Sequence, residues 1–309
     1  MDSPLGESGS GRDRAQFMEC ANPNAAAPHA TRVHDSRGRK KRVAVVTPVH
    51  RLPLTAEEEI SLKHLRFHLG KFDKYIIAPQ KMSVSFPEFR SKYFKDVFFA
   101  DISGYTKLLL AKQFYQAFAD YEYILIYQPD CLVFSDDLEY WCDKGWDYVG
   151  APWFRNHEND STGGLWAVGN GGLSLRNVSS ALAVLRSKML YDTSAERGRS
   201  TRYFPASPRL RTIACKIKPY VLRLGYRNTL NWYLKQFTNG SNSQEDRFWA
   251  FDARRFAPEF RIPDPHEAVG FSFECAPRYC HKANSERLPF GCHAWAKWDR
   301  EFWEPHLLK

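Results

Sequence analysis

The sequence predicts an α/β fold in which helices flank a mostly parallel sheet. Apolar runs of strand length alternate with helical segments between Val43 and Cys142, and such alternation is typical of a parallel sheet with helices on both faces. The run from Tyr123 to Tyr127 has no charged residue, which suits a strand buried on both sides. With 309 residues, the chain is long enough for one large domain with a substantial core.

The first half of the chain supplies four predicted strands and three predicted helices. Apolar residues at helical spacing give residues 105–118 a broad apolar face. No glycine-rich phosphate loop follows the first strand, which argues against a Rossmann dinucleotide domain and a P-loop nucleotidase. In chain order the strands are 43–49, 75–79, 95–101 and 123–130, and the helices are 56–69, 105–118 and 137–142.

The second half is less regular. Its apolar runs are shorter and are interrupted by glycine, proline and polar residues, so several short strands are expected. The predicted strands lie in 146–153, 168–176 and 269–275, with the terminal motif PFGCHAW at 289–295, and the predicted helices are 179–190 and 242–256.

Two segments are set apart by their composition. Residues 1–40 are rich in small and polar residues and cannot bury enough surface to order themselves, so a disordered leader is predicted. The folded domain is predicted to span 41–303 and to include a basic insertion, 186–240. From Arg186 to Lys235, twelve Lys or Arg residues accompany two acidic residues, in a chain of net charge +9. This surplus suits an anionic surface or ligand, but no nucleic-acid-binding motif accompanies it and no nucleic acid is expected.

The cysteines and the N-terminus bear on the compartment. Seven cysteines without regular spacing argue for reduced thiols, and hence for a cytoplasmic protein. The N-terminus has no apolar export signal, and no run approaches the length of a membrane-spanning helix. The C-terminal Cys and His residues match no common zinc spacing, so buried thiols are favoured over structural zinc at Cys275, Cys280, His281, Cys292 and His293.

Asp130 is the most informative single residue. Pro129 cannot continue a sheet ladder, so the strand ends there and Asp130 lies at its carboxyl tip. Ligands of open α/β sheets bind outside the carboxyl ends of the strands. A carboxylate at this place can hold a divalent cation that neutralises a diphosphate. The alternative is a turn aspartate that caps the following helix.

Four motifs occur together in the order YQPDC, VGNGGLSLR, SQEDRFW and PFGCHAW. With them the chain resembles the GT-A class of nucleotide-sugar-dependent glycosyltransferases, over residues 43–300. It is most similar to a domain family with GNGGLSLR, ED and GxHxW signatures. The resemblance implies a GT-A-like sheet and a transferase activity that moves a sugar from a nucleotide-diphosphate donor to a hydroxyl acceptor.

The resemblance also implies a metal site. Asp130 matches the last carboxylate of the DxD motif of these enzymes, and Gln128 stands where the first carboxylate is expected. His293 matches a C-terminal histidine that completes the metal shell in several GT-A families. An imidazole ligand favours Mn²⁺ over Mg²⁺. The alternative for His293 is a ring packed beside Trp295.

By the same resemblance Asp246 is the general base, which takes the proton of the acceptor hydroxyl in an inverting reaction. Capping of the helix start is the alternative role for the acidic pair Glu245 and Asp246. Gly171 and Gly172 are expected where the backbone approaches the ligand closely, or else at a bulge that bends the sheet.

The donor nucleotide is expected beside the first strand, and its contacts are inferred from topology. Thr47, Pro48 and His50 are placed at the base and ribose, and Asp101 at the uracil or ribose. Trp153 is placed on the acceptor side.

Two other functions compete with sugar transfer. A nucleotidyltransferase on a similar sheet would usually carry a glycine-rich basic loop after the first strand, and TPVHRLPLT contains none. A non-catalytic nucleotide-sugar-binding module is compatible with Gln128 in the DxD position.

The basic insertion raises a hypothesis about the membrane. Tyr220 to Phe237 mixes apolar residues with arginine and lysine, as segments at a membrane interface do. Peripheral attachment at the cytoplasmic leaflet, with a lipid-linked acceptor, is therefore one expectation. A helical pair packed on the catalytic core is the alternative.

Overall fold

The computed structural model describes residues 40–156, 161–190, 229–239 and 244–308. Residues 1–39 of the predicted leader, and 191–228 and 240 of the predicted insertion, lie outside these ranges. The boundaries proposed for both segments therefore stay predictions.

A six-stranded sheet forms the centre of the described chain. Its strands are β1 Lys41–Pro48, β2 Asp73–Pro79, β3 Phe89–Phe94, β4 Tyr121–Tyr127, β6 Tyr148–Val149 and β9 Leu173–Asn177. Their order in the sheet is β3-β2-β1-β4-β9-β6. The pairings of β1 with β2, β1 with β4, and β2 with β3 are parallel, whereas β9 is antiparallel to β4 and β6.

Helices cover both faces of this sheet, and the alternation of side chains along β4 shows why both faces are apolar. Ile124 and Ile126 belong to the apolar cluster on one face, where α2, α3 and α5 pack. Tyr123 and Leu125 belong to the cluster on the other face, with α1 and α4. These helices are α1 Ala56–Leu69, α2 Ile102–Leu109, α3 Lys112–Gln116, α4 Leu138–Asp143 and α5 Val178–Leu185. The α/β prediction, with a mainly parallel sheet flanked by helices, is confirmed.

Two predictions in the first half are wrong in detail. Residues 95–101 contain no strand, because Asp96–Phe99 forms a 3₁₀ turn and the edge strand is the polar segment β3. The helix predicted over 105–118 is two helices, since Ala111 is extended. Tyr115 donates its hydroxyl hydrogen bond to the carbonyl of Leu109, which satisfies the end of α2 at this break.

Smaller elements complete the second half. A hairpin is formed by β7 Pro152–Phe154 and β8 Leu165–Val168, and a three-stranded sheet has the order β10-β11-β5. The strand predicted over 269–275 is wrong for its first half, because Val269–Phe271 ends a helix. The remaining elements are β5 Leu132–Val133, α6 Leu230–Phe237, α7 Glu245–Arg247, α8 Pro265–Phe271, β10 Ser272–Phe273, α9 Pro277–Ala283, β11 Gly291–Cys292 and α10 Arg300–Trp303.

The helix predicted over 242–256 is irregular. After α7 the chain widens into a π turn, Phe248–Asp252, and then tightens into a 3₁₀ turn, Ala253–Arg255. Single π turns inside helices are frequent at functional sites. The predicted start at residue 242 lies outside the described residues.

The described end of the basic segment packs on the core. Leu230 is buried, and Trp232, Tyr233, Leu234 and Phe237 are partly buried against the apolar cluster of the α2 face. Within the described ranges, no helix is both long enough and apolar enough to cross a membrane.

Candidate active site

The carboxyl ends of β1 and β4 lie side by side, next to the start of the antiparallel strand β9. Two buried polar atoms near this edge of the sheet, Thr47 Oγ1 and Asn170 Nδ2, have no hydrogen-bond partner in the described part of the chain. Buried polar groups in folded proteins are nearly always paired, so these two atoms are available to a polar ligand.

The small sheet brings His293 to Asp130. Cys292 pairs with Leu132 in antiparallel register, so the residue after Cys292 meets the segment before Leu132. The Nε2 atom of His293 lies 3.3 Å from Asp130 Oδ1 and 3.1 Å from Gln128 Oε1. The carboxylate of Asp130 and the amide of Gln128, which replaces the first DxD carboxylate, therefore both approach the Nε2 atom of His293. The two residues predicted as metal ligands are thus in contact with each other.

Glu274 holds the other nitrogen of this ring. Its Oε1 atom lies 3.1 Å from His293 Nδ1, because Glu274 follows Phe273, which pairs with Cys292 in parallel register. Metal-binding histidines usually donate their second N–H to a carboxylate in this way, which fixes the tautomer and the ring orientation.

Charge in this cluster is concentrated on the imidazole. Burial disfavours its charged form, but the carboxylates of Asp130 and Glu274 outweigh burial and raise the pKa of His293 to about 10. Burial likewise disfavours ionised Asp130, yet His293 lowers the pKa of Asp130 below its ordinary value. Without a cation, the imidazolium supplies the positive charge between two carboxylates, and a bound metal would replace the Nε2 proton.

The donor set fits a divalent cation in its chemistry. Asp130 Oδ1 is buried and faces His293 Nε2 at 3.3 Å, and the imidazole is already oriented by Glu274. Carboxylate and amide oxygens with one imidazole nitrogen are ligands that Mn²⁺ accepts. Within the described ranges, no group of three or more His, Cys, Asp or Glu residues is arranged to hold a metal. Three protein ligands are reached here only if the Gln128 amide oxygen takes part.

A turn between β8 and β9 lies beside this cluster. The glycines of GNGG were predicted inside a strand, but residues 169–172 form the turn that precedes β9, with Asn170 in the left-handed region at φ 62°. A Cβ atom on Gly172 would overlap the His293 ring, and one on Gly171 would overlap the Glu245 carboxylate. Glycine at these two positions lets both side chains pack against the turn.

Arg176 fixes the position of Glu245. Its guanidinium is 1 % exposed and lies 2.9 Å from Glu245 Oε1. The same group donates to Tyr115 Oη and to the carbonyl of Gly171. Glu245 is thus one half of a buried ion pair, and this pairing, more than capping of α7, accounts for its position.

Asp246 reaches the other side of the same turn. The amide of Gly171 donates to Asp246 Oδ2 at 3.3 Å, and the amide of Arg247 donates to Oδ1 at 2.8 Å. The residue is 6 % exposed. Burial, followed by the negative charge of Glu245, raises the pKa of Asp246 to about 7. A carboxylate with a pKa near neutrality is suited to take a proton at physiological pH.

The nucleotide-contact predictions fall on residues with different environments. Thr47 and Pro48 are buried at the end of β1, whereas His50 is exposed in the loop that follows. Asp101 is exposed and accepts a hydrogen bond from the amide of Gly104 at 2.6 Å, which caps α2. The structure gives Asp101 a capping role, and its contact with a nucleotide stays a prediction.

Sequence reasoning missed three residues of this site. Glu274 orients His293, Arg176 holds Glu245, and the Tyr105 hydroxyl is buried near Gln128 and Glu245. Burial, and then the Glu245 charge, raise the pKa of Tyr105, so this hydroxyl stays protonated and can donate. Glu274 stands directly after a strand-like run and Arg176 ends the GNGGLSLR motif. Both positions carried a signal that was visible in the sequence.

Replacing Gly172 with alanine is expected to weaken Mn²⁺ binding by about tenfold or more, since a displaced ligand costs as much as a lost supporting contact. The added Cβ would push the His293 ring away from Asp130. Calorimetric titration with Mn²⁺ measures the effect. Gly270→Ala is the matched control, because its Cβ would meet nothing nearer than 3.6 Å. If Gly172→Ala bound Mn²⁺ as tightly as Gly270→Ala, the position of the His293 ring beside residue 172 would not matter for cation binding.

The chain belongs to the family described as "Protein of unknown function (DUF5672)", whose family model matches residues 88–293. That description assigns no activity. A comparison with curated proteins found no match.

Solved structures of glycosyltransferases align with the chain at low identity. One, from PBCV-1, is described as involved in glycosylation of the major capsid; it has 10 % identity, coverage of 86 % of this chain and 98 % of that chain, and a TM-score of 0.41. GlyE of Streptococcus pneumoniae TIGR4 has 14 % identity, coverage of 87 % and 60 %, and a TM-score of 0.41. The chain therefore spans about three fifths of the aligned GlyE chain.

A further alignment is to the galactosyltransferase LgtC, in complex with donor and acceptor sugar analogs. It has 12 % identity, coverage of 86 % of this chain and 96 % of that chain, and a TM-score of 0.43. Alignments at these scores carry no information about the residues of the site.

Proposed function

We propose that this protein is a glycosyltransferase that moves a sugar from a nucleotide-diphosphate donor to a hydroxyl acceptor. One observation carries the proposal. Asp246 and His293 contact adjacent residues of the same turn, Gly171 and Gly172, and adjacent Cα atoms are about 3.8 Å apart. The proposed base for the acceptor and the proposed ligands of a cation thus lie next to each other on one turn, at the carboxyl edge of the sheet.

The cation ligands in this proposal are Asp130 and His293, with the amide oxygen of Gln128 beside them. A divalent cation held there supplies positive charge to the diphosphate as it leaves. Glu274 keeps the imidazole in the orientation that directs Nε2 towards Asp130. We propose Mn²⁺ in preference to Mg²⁺, because one ligand is a nitrogen.

Asp246 accepts the proton of the acceptor hydroxyl. As the acceptor oxygen forms its bond to the anomeric carbon, the bond from that carbon to the diphosphate oxygen breaks, and the nucleoside diphosphate leaves with the electron pair. A single base opposite the leaving group gives inversion. Glu245, which Arg176 holds in place, puts a second carboxylate next to Asp246, and its charge favours uptake of the proton more than Arg176 opposes it.

Buried groups that donate hydrogen bonds suit a polar nucleotide sugar. The Asn170 Nδ2 atom is buried and has no hydrogen-bond partner among the described residues, so it can donate to a hydroxyl or phosphate oxygen. Thr47 lies at the end of β1, where we place the nucleotide together with Pro48 and His50. Asp101 is proposed to add a ribose or base contact through the carboxylate oxygen that does not cap α2.

Thermal-shift measurements with UDP-, GDP- and dTDP-sugars, each with and without Mn²⁺, test the proposal. Stabilisation by a nucleotide sugar that is larger with Mn²⁺ is expected, because a ligand that binds only the folded state raises its melting temperature. Release of free sugar from the nucleotide sugar that stabilises the protein would then indicate an enzyme, whereas a binding module would release none. No stabilisation by any of the three donors would contradict the proposal.

We also propose a cytoplasmic protein with a hydroxyl acceptor that is carried on a lipid. The basic segment is expected to attract the protein to anionic vesicles, since each Lys or Arg near such a surface contributes about 1 kcal/mol. Liposome flotation measures this attraction, with neutral vesicles as the control and added salt to weaken it. The apolar residues of α6 pack on the core, so the basic charge has to provide the attraction. Protein that stays off anionic vesicles at low salt would exclude the membrane contact.

A further inference from the structure

Three aromatic rings form a partly exposed surface beside the candidate site. Phe251 lies between two tryptophans, with its ring centroid 5.8 Å from that of Trp153 and 5.2 Å from that of Trp166. The planes meet at only 29° and 33°. Trp166 is 48 % exposed and Phe251 is 38 % exposed. We call Trp153, Trp166 and Phe251 the aromatic platform.

Local backbone irregularities place two of these rings. Trp153 pairs with Ala167 and Phe154 pairs with Leu165, so Trp166 is the extra residue of a β-bulge. Bulges redirect side chains and are frequent next to active sites. Phe251 belongs to the π turn that follows α7; its neighbours Phe248 and Trp249 are buried in the core. Both irregularities turn a large apolar ring away from the core.

The platform lies close to Asp246. The Trp153 ring packs against Gly169 so closely that a Cβ atom there would overlap it. Gly169 is two residues from Gly171, a span of at most about 7 Å, and the Gly171 amide donates to Asp246. Phe251 follows Asp246 by five residues in the same irregular helix. His293, which faces Asp130, packs against the next residue of the turn, Gly172.

We propose that the aromatic platform binds a sugar ring of the acceptor, so that the acceptor is a glycoside whose hydroxyl faces Asp246. This inference rests on the proposed function and names its acceptor class. The hydroxyl that reaches Asp246 has to belong to a group that can pack a flat apolar face on the exposed parts of the Trp166 and Phe251 rings. A pyranose has an apolar C–H face and a rim of hydroxyls, and it meets both requirements. A lipid chain or an extended peptide has no such flat face.

The location of the aromatic platform favours a sugar of the acceptor over the nucleotide base of the donor as its ligand. The nucleotide is placed at the end of β1, whereas the platform lies beyond β9, on the hairpin of β7 and β8. The order β1-β4-β9 in the sheet separates the two places by the strands that carry Asp130 and the glycine turn. The donor sugar, between the two, then has its anomeric carbon facing the acceptor hydroxyl, whose proton passes to Asp246 as the bond to diphosphate breaks.

Saturation-transfer NMR with a panel of methyl glycosides of glucose, galactose, mannose, rhamnose and N-acetylglucosamine tests the platform on the full chain. At least one glycoside is expected to bind the parent protein, with saturation on its ring C–H protons. Trp166→Ala is expected to weaken that binding about tenfold, the scale of one aromatic contact, and Trp166→Tyr to restore most of it. Phe67→Ala removes a 71 % exposed ring outside the platform and is expected to change nothing.

Nucleotide-sugar binding is measured by thermal shift on the same proteins, so the two proposals fail separately. Binding of a nucleotide sugar by the parent, without any glycoside bound, overturns the platform and leaves the transferase proposal standing. Equal glycoside affinity in parent and Trp166→Ala also overturns the platform. Glycoside binding that depends on Trp166, in a protein that binds no nucleotide sugar, supports the platform and contradicts sugar transfer. Circular dichroism of Trp166→Ala, compared with Trp166→Tyr, identifies loss of binding through unfolding.

Discussion

Replacing Asp246 with asparagine is expected to lower the turnover of sugar transfer about a hundredfold or more, with the affinity for the donor retained. Asparagine keeps the size of the side chain and can still accept one of the two backbone hydrogen bonds that Asp246 accepts from Gly171 and Arg247, but it cannot take the acceptor's proton. General-base catalysis contributes about 10²- to 10⁴-fold to a rate. Steady-state kinetics with a competent donor and acceptor measure the turnover, and calorimetry measures donor affinity.

The pH profile of the parent enzyme gives a second measurement of the same role. Because burial and Glu245 raise the pKa of Asp246 to about 7, transfer is expected to rise with pH to a plateau above neutrality. The rise should be centred near pH 7 and should be absent from the residual activity of Asp246→Asn. A parent rate that does not change between pH 5 and pH 8 would contradict Asp246 as the base.

The raised pKa of Asp246 also predicts that its ionised carboxylate destabilises the fold above neutral pH. The folded protein holds the Asp246 proton more tightly than the unfolded chain does, so the free energy of unfolding falls as pH rises from about 4 to about 7. Asp246→Asn removes this loss. At pH 8 its melting temperature is expected to exceed that of the parent by about 2–6 °C. Differential scanning calorimetry at pH 5 and pH 8 measures the change.

Asp252→Asn is the matched control for activity. It makes the same chemical change six residues further along the same irregular helix, where Asp252 lies 3.1 Å from Arg255. Its turnover should stay near that of the parent. Glu245→Gln is a poor control, because it would leave Arg176 buried without its partner charge, and such losses cost about 3–5 kcal/mol. Equal turnover in Asp246→Asn and the parent would rule out the base.

The fold could be predicted from local pattern where burial is simple. Residues Tyr123–Tyr127 of β4 are uncharged and apolar because helices cover both faces of the strand, and α1 begins at the capping box of Thr55 and Glu58. Pattern failed where tertiary packing decides. The apolar residues of 95–101 suggested a strand, but Asp96–Phe99 is a turn that leaves Val97 exposed, and β3 is polar because it lies at an edge of the sheet.

The candidate site shows the same division. Asp130 could be placed at a strand tip by the proline beside it, and its neighbour His293 by resemblance. The pairing that joins them is the register of β5 with β11, which no local pattern contains. The partners of the side chains are equally distant in sequence: Arg176 is 69 residues from Glu245, and Gln128 is 165 residues from His293. Such contacts follow only from the assembled fold.

The glycine turn explains why these distant residues meet. It carries no side chain at Gly171 or Gly172, so Glu245 and His293 pack directly on its two residues, and its Gly171 amide holds Asp246. Its carbonyls are held from the opposite side: the amide of Gln128 donates to Gly172 O at 2.9 Å. One backbone segment thus links the base, the ion pair behind it and the cation ligands. A shift of this turn would disturb both halves of the proposed chemistry together.

Replacing Asp130 with asparagine is expected to have the largest effect on the cation, with Mn²⁺ affinity and Mn²⁺-dependent nucleotide binding both reduced more than by any other single change. Asp130 is the carboxylate among the three groups that face the site, and its buried Oδ1 atom lies 3.3 Å from His293 Nε2. An amide there removes the negative charge that attracts the cation. Mn²⁺ titration followed by electron paramagnetic resonance, without donor, measures affinity independently of activity.

The neighbouring residues should rank below Asp130 in a definite order. His293→Ala is expected to weaken Mn²⁺ binding less completely, because Asp130 and Gln128 keep their oxygens. Glu274→Gln is expected to weaken it about 10- to 100-fold, the usual effect of losing the group that orients a metal-binding histidine. Asp136→Asn, at an exposed carboxylate that pairs with Lys71, is the control. If Asp130→Asn binds Mn²⁺ as tightly as Asp136→Asn does, the cation site is wrong, and the imidazolium of His293 becomes the positive charge that has to face the diphosphate.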